Sequence, residues 1–183
     1  MEKKEAFTQG LAEILVKNKV IAADEAKSMQ DMFKDSIKET FDDFLLEEGL
    51  VEESDLLRAL SEYYQLPSFD VVGYFFDHNL ITKFPKGFLL RNGIVPLEVD
   101  QNMLIIIASN PEEPGLESAV RDYVSYDVNL MVGLKRDISD AVKEFYDLSP
   151  SNVEEDLDLR EERRLEQDVE HEIDSLAESK LLE

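Results

Sequence analysis

The feature that most constrains the fold is an internal repeat in the first third of the chain. When the sequence is shifted by 30 positions without gaps, apolar residues fall on apolar residues. The matched pairs are Leu11 with Phe41, Ile14 with Phe44, Leu15 with Leu45, Val16 with Leu46, Val20 with Leu50, Ile21 with Val51, and Phe33 with Tyr63. The i, i+3, i+4 spacing within a copy is typical of an amphipathic helix. Two successive helical hairpins are the simplest interpretation, and shared helical periodicity without true repetition is the alternative.

After Leu66-Pro67 the helical periodicity gives way to strand-like segments. Residues 94–99 and 103–108 are mostly apolar and flank the polar residues 100–102, which predicts a β-hairpin. Pro96 cannot donate a backbone hydrogen bond, so it predicts an edge strand or a bulge. Residues 80–90 predict short helical turns, and residues 128–132 predict a third strand.

Two more helices are predicted on either side of this third strand. One begins at Asn110 and runs to Tyr123, and the other opens at Lys135 or Asp137. The order strand-strand-helix-strand-helix predicts a sheet with helices covering one face. The fold class is therefore α+β, with an N-terminal helical bundle of two repeated hairpins followed by this small domain. The predicted boundaries are 1–68 for the helical repeats, 69–148 for the small α+β subdomain, and 149–183 for a tail.

Four aromatic residues lie where the two predicted subdomains meet, namely Phe69, Tyr74, Phe75 and Phe76. Such a group can form a ligand box, or it can fill the join between two subdomains. Large aromatic side chains are mostly buried, so the core interpretation is favoured.

The charge of the chain restricts its partners. It has 42 acidic against 19 basic residues among 183, a net charge of −23. The predicted tail has no aromatic residue and is acidic, which predicts a disordered or partly helical segment. Phosphate backbones and anionic membranes repel such a chain, whereas a basic protein partner suits it. The longest apolar run, residues 103–108, is too short to span a bilayer, and the N-terminus lacks a secretory signal.

Known catalytic and metal-binding patterns are missing from the sequence. The absence of Cys removes thiolate nucleophiles and Cys zinc sites. His78 and His171 are far apart, so we expect no metal site. The acidic pairs 42–43 and 47–48 are interpreted as solvated helix faces rather than acid–base pairs. No G-x-x-x-x-G-K-[ST] motif occurs, so we expect no ATPase activity and no other enzyme activity.

Three ordered stretches resemble a known family. They are Leu11–Val16 with Val20-Ile21; Phe44–Val51 followed by Leu56, Ala59-Leu60 and Leu66-Pro67; and Gly93–Leu97, Ala108–Pro111 and the closing helix to Tyr146. Together they resemble the N-terminal domain of type II secretion and type IV pilus assembly ATPases, in the cyclic-di-GMP-binding version called the MshEN domain. The resemblance covers about residues 7–148 and excludes the ATPase domain.

The resemblance implies a ligand groove between the repeats. The residues carried over to it are Gly10, Leu11, Leu15, Thr40, Phe41, Leu45 and Gly49. Each family repeat ideally begins Arg-Leu-Gly and has a later Gly, the Arg engaging a guanine or a phosphate. Here Gly10 and Thr40 stand at the Arg positions, Ala12 and Asp42 replace the first Gly, and Lys19 replaces the later Gly of the first copy. Each missing guanidinium removes contacts of about 1.5–3 kcal/mol, so we expect no cofactor and interpret the leucines as helix core.

In function, the resemblance implies a protein-interaction adaptor. Family domains of this kind dock the motor to a partner in secretion or pilus machinery at the cytoplasmic face of the inner membrane. We expect a cytoplasmic location, no membrane insertion, and attachment to the inner membrane only through the partner. The alternative is a divergent sensor of cyclic-di-GMP or another nucleotide. A third possibility is a freestanding regulator that uses the tail as its own functional arm.

Overall fold

The structure, a computed structural model, describes residues 2–148. Residues up to Val142 form one compact unit, and those from Lys143 belong to a second, of which only residues 143–148 are described. The predicted tail, 149–183, lies outside the described residues.

Four helices make up the N-terminal part of the described chain. They are α1 (Glu2–Lys17), α2 (Ala23–Lys34), α3 (Phe41–Glu47) and α4 (Glu53–Tyr64). Under the 30-position shift, α2 and α4 coincide residue for residue, and α3 coincides with the last seven residues of α1. The two predicted helical hairpins are therefore confirmed.

The hydrophobic core follows the repeat. Leu11 and its counterpart Phe41 are fully buried, as are Leu15 and its counterpart Leu45. Equivalent positions of the two hairpins thus face the same interior. Val132 and Leu134, which come from outside the repeats, belong to the same core cluster. The division of the chain at residue 68 stays a prediction.

The second part has the predicted order of elements. It contains α5 (His78–Ile81), α6 (Lys86–Asn92), β1 (Ile94–Asp100), β2 (Met103–Ala108), α7 (Leu116–Arg121), β3 (Asp127–Val132) and α8 (Lys135–Leu148). The sheet order is β1-β2-β3, with β1 antiparallel and β3 parallel to β2. Pro96 lies on the edge strand β1, and the register shifts between Pro96 and Glu98, so it occupies an edge and a bulge at once.

The helix expected from Asn110 begins later, at Leu116. The Asn110 side chain accepts a hydrogen bond from the Glu112 amide at 3.2 Å, which closes a turn instead of a helix. Pro114 disfavours helical backbone at the residue before it, and Gly115 has a φ of +77°. These local preferences hold residues 110–115 out of the helix.

Candidate interaction site

The two hairpins share one turn geometry. Lys19 and Gly49 both have left-handed backbone, with φ of +62° and +65°. The Val20 amide donates to the Leu15 carbonyl at 2.9 Å, and the Leu50 amide donates to the Leu45 carbonyl at the same distance. Such bonds satisfy carbonyls left free at a helix C-terminus. The turn of the first copy is therefore retained although Lys19 replaces the glycine of the family pattern.

The structure places most of the seven predicted ligand residues in the helix core. Leu11, Leu15, Phe41 and Leu45 are all fully buried. Gly10 is half-buried in α1, Thr40 precedes α3, and Gly49 is exposed at the second turn. A Cβ atom at Gly10 would lie 2.8 Å from Cε2 of Tyr63, so a side chain there meets an aromatic ring. Nucleotide binding by these seven residues stays a prediction.

Asp42 differs from the solvated carboxylate expected on α3. Its Oδ1 atom and Oγ1 of Thr40 are buried, and neither forms a hydrogen bond of acceptable geometry within the described chain. Burial raises the pKa of Asp42, the neighbouring Asp43 carboxylate raises it further, and the Thr40 hydroxyl offsets the shift in part. The expectation of a solvated face is therefore wrong for Asp42. At the position of a family glycine, this chain holds a poorly solvated acid.

Tyr64 lies close enough to Asp42 to interact with its charge. Burial raises the pKa of the Tyr64 hydroxyl, and the negative charge of Asp42 raises it further. The Tyr64 ring also packs against Phe7 and Tyr63, with centroid distances of 6.1 and 5.0 Å. Packed aromatic rings therefore lie next to both motif positions, with Tyr63 beside Gly10 and Tyr64 near Asp42.

Residues 69–77, here named the aromatic loop, expose apolar side chains. Phe75 is 96% exposed, Val72 66% and Tyr74 37%. The Tyr74 ring contacts the rings of Phe69 and Phe76 at centroid distances of 5.4 and 4.9 Å. The core interpretation of this aromatic group is therefore wrong for Phe75, which contributes almost nothing to the interior.

A tight turn explains why Phe75 points outward. The Asp70 carboxylate accepts a hydrogen bond from the Val72 amide at 3.0 Å, and the Tyr74 amide donates to the Val71 carbonyl at 3.2 Å. Gly73 supplies the left-handed backbone of this turn, with a φ of +77°. The sequence signal for this turn is the placement of Asp70 and Gly73 on either side of two valines.

An acidic cleft of about 600 Å³ adjoins the aromatic loop through Asp70. It is lined by the carboxylates of Glu52, Glu53, Asp70 and Asp137, by Arg58, and by Leu57 and Leu134. Arg136 pairs with Glu53, and its Nε atom lies 3.9 Å from Asp137 Oδ1. Burial raises the pKa of Asp137, Arg136 opposes the shift, and Asp70 adds to it. The cleft thus retains excess negative charge beside a partly apolar wall.

The cleft was not found from the sequence, because its acids come from segments far apart in the chain. Glu52 is the N-cap of α4 and Glu53 its first residue, Asp70 lies in the aromatic loop, and Asp137 lies in α8. Among residues 2–148 no group of three or more His, Cys, Asp or Glu side chains is placed to hold a metal ion. Nor is any helix within this range long and apolar enough to cross a membrane.

Comparisons with known proteins agree with this architecture. Residues 76–152 match the MshEN domain family. No curated protein matches the chain in sequence. The solved structure of MshE with cdg (cyclic-di-GMP) is similar at a TM-score of 0.61 and 18% identity, covering 74% of this chain and 98% of that one. The N-terminal domain of XpsE is similar at a TM-score of 0.54 and 19% identity, covering 74% of this chain and 92% of that one.

At these identities the structural matches establish the fold. The family match lies outside all seven predicted ligand residues, since it begins at residue 76. Together the matches confirm the resemblance to the N-terminal domains of secretion and pilus ATPases. The described chain therefore has the fold of MshE and of the XpsE N-terminal domain, and residues 76–152 of the sequence match the MshEN domain family.

Proposed function

We propose that this chain is a non-catalytic protein-interaction domain, an adaptor in a bacterial type II secretion or type IV pilus assembly machine. The family match and the fold support the machine. One observation favours an adaptor over a nucleotide sensor: the four large apolar side chains among the predicted ligand residues are buried in the helix core. Leu11, Leu15, Phe41 and Leu45 are fully buried, and Asp42, whose Oδ1 atom is also buried, puts an acid where the family motif has a glycine.

The proposed partner is a component of the machine at the cytoplasmic face of the inner membrane. This chain would work in the cytoplasm and reach the membrane only through that partner. The proposal includes no enzyme activity, which is supported by the lack of a Walker A motif in the sequence. It also includes no cofactor, because the arginine positions of the family motif hold Gly10 and Thr40.

A divergent cyclic-di-GMP sensor is the second candidate. It is favoured by the shared turn geometry at Lys19 and Gly49, which keeps the backbone of both repeats alike. The likeness in fold to MshE, solved with cdg, also supports it. The two candidates differ in what fills the groove: side chains of this chain, or a ligand carrying two negative phosphates.

Two measurements on the full chain decide between them. Calorimetric titration with cyclic-di-GMP, with GTP and ATP as controls, should give no saturable heat. Affinity capture from cells of the source organism, read by mass spectrometry, should enrich a secretion or pilus component. Saturable heat with a dissociation constant in the low micromolar range or tighter would establish the sensor instead. Capture of no such component from a folded chain would refute the adaptor.

A further inference from the structure

We propose that the aromatic loop and the acidic cleft together form a docking site for a basic, amphipathic segment of a partner protein. This inference rests on the proposed adaptor function and locates its contact surface. Apolar side chains of the segment would cover Phe75 and Val72. Its Lys or Arg side chains would enter the cleft beside Asp70 and Asp137.

The apolar half of the proposed docking site is centred on Phe75. Nearly all of its side chain is exposed, and Val72 on the same loop is 66% exposed. Aromatic anchors of this kind carry much of the binding energy in protein interfaces. The loop is also preorganised, because Tyr74 is held between Phe69 and Phe76 and the turn is closed by Asp70. An ordered loop loses less conformational entropy when it binds.

The charged half of the proposed docking site is the acidic cleft. Four carboxylates and one arginine line it, and Arg136 pairs with Glu53. Within the described part of the chain, no Lys or Arg forms an ion pair with Glu52 or Asp70. Asp70 connects the two halves, since it lines the cleft and also caps the turn that presents Phe75. A partner cation would complement this charge.

Charge also argues against the other occupants. The tail beyond residue 148 is acidic, with 13 acids and 4 bases among residues 151–183, so it would be repelled by the cleft. A second copy carries the same net charge of −23, and an anionic bilayer surface is negative as well. A basic segment of another protein fits both halves of the surface.

The test uses the full chain and a fluorescent 18-residue probe helix with leucines on one face and lysines on the other. A scrambled peptide of the same composition and vesicles with anionic lipid serve as comparison ligands. Phe75→Ser removes the aromatic anchor. A double variant, Asp70→Asn with Asp137→Asn, removes two charges, while the asparagine at position 70 can still cap the turn.

Matched controls distinguish this site from general attraction to an acidic protein. Ile37→Ser removes an apolar side chain that is also 96% exposed. Asp24→Asn with Asp31→Asn removes two exposed acids from α2. All variants are checked for wild-type thermal unfolding before binding is compared.

We expect both site variants to weaken probe binding by at least about tenfold, as for a central interface contact, with the controls within about twofold of wild type. Equal weakening by site and control variants, equal binding of the scrambled peptide, or preferential binding to vesicles or to a second copy would overturn the inference.

The same variants are carried through the capture experiment. If Phe75→Ser recovers the machine component as well as wild type does, the docking surface is wrong and the adaptor function stands. If wild type recovers no component, the adaptor function fails, and the docking surface fails with it unless the probe titration shows the expected pattern.

Discussion

Lys19 adopts the same left-handed conformation as Gly49, the residue 30 positions further along, with φ of +62° against +65°. The hydrogen bonds that close the two turns also match, at 2.9 Å in each copy. A Cβ atom at Gly49 would meet no atom within 4 Å, so the difference between the copies lies in backbone strain and not in packing.

Lys19→Gly should therefore raise the free energy of unfolding by about 0.5–1 kcal/mol. Left-handed backbone costs an L-residue roughly 1–2 kcal/mol. Glycine avoids this cost, but it gives the unfolded chain more conformational entropy, so the net gain in stability is smaller. Urea denaturation followed by circular dichroism measures the change. The control Lys27→Gly, inside α2, should lower stability by about 1 kcal/mol. A loss of stability in Lys19→Gly would contradict this explanation.

Asp42→Asn should stabilise the fold at neutral pH by about 1–3 kcal/mol, because an uncharged isostere replaces a poorly solvated carboxylate whose Oδ1 atom is buried without a hydrogen bond. Urea denaturation at pH 7 measures this. Asp31→Asn, at an exposed position of α2, should change stability by less than about 0.5 kcal/mol. Equal effects of the two substitutions would show that Asp42 is solvated.

The same carboxyl should make stability depend on pH. Burial raises the pKa of Asp42 in the folded state, so the folded chain binds a proton that the unfolded chain has already released. Wild type therefore loses stability as the pH rises from about 4, the unfolded value, through the folded pKa. The difference between Asp42→Asn and wild type should grow over that window and then level off. A difference that is constant with pH would exclude a raised pKa.

Gly10→Ala should lower the free energy of unfolding by about 1 kcal/mol, although alanine is the better helix former. The new Cβ atom would lie 2.8 Å from Cε2 of Tyr63, and that ring is held against Phe7 at a centroid distance of 5.0 Å. Gly87→Ala, in α6 with open space around the new Cβ, should instead gain about 0.5–1 kcal/mol. Thermal unfolding of both variants measures the contrast, and a gain in Gly10→Ala would show that the Tyr63 ring moves aside freely.

The repeat could be predicted from sequence because its signal is local. Leu11 and Leu15 have the same spacing as Phe41 and Leu45, and helical period alone places each pair on one buried face. The bulge at Pro96 follows in the same way from the missing amide hydrogen of proline.

Two features could not be derived in that way. The exposure of Phe75 depends on a turn that rotates it away from Phe69 and Phe76, its neighbours in an apolar run. The acidic cleft depends on tertiary contacts that bring Asp137 and Asp70 together with the start of α4. Hydrophobicity along the chain records neither relation, so the sequence predicts a core position for Phe75 and gives no sign of the cleft.

Leu134 tests whether the helical repeats and the sheet are stabilised together. It is buried and belongs to the core cluster of α1 to α4, although it follows β3 in the chain. Leu134→Ala should cost about 2–4 kcal/mol through lost burial and a residual cavity. Arg136→Ala, which removes the partly exposed ion pairs with Glu53 and Asp137, should cost less than about 1 kcal/mol.

Hydrogen exchange then shows where that stability is lost. Because Leu134 packs with the helices, Leu134→Ala should speed amide exchange in α1–α4 and in β1–β3 to similar extents. Arg136→Ala serves as the control and should leave both regions close to wild type. Faster exchange confined to residues 69–148 would mean that the predicted boundary at residue 68 separates two independently unfolding parts. Faster exchange in both would mean that Leu134 couples them into one cooperative unit.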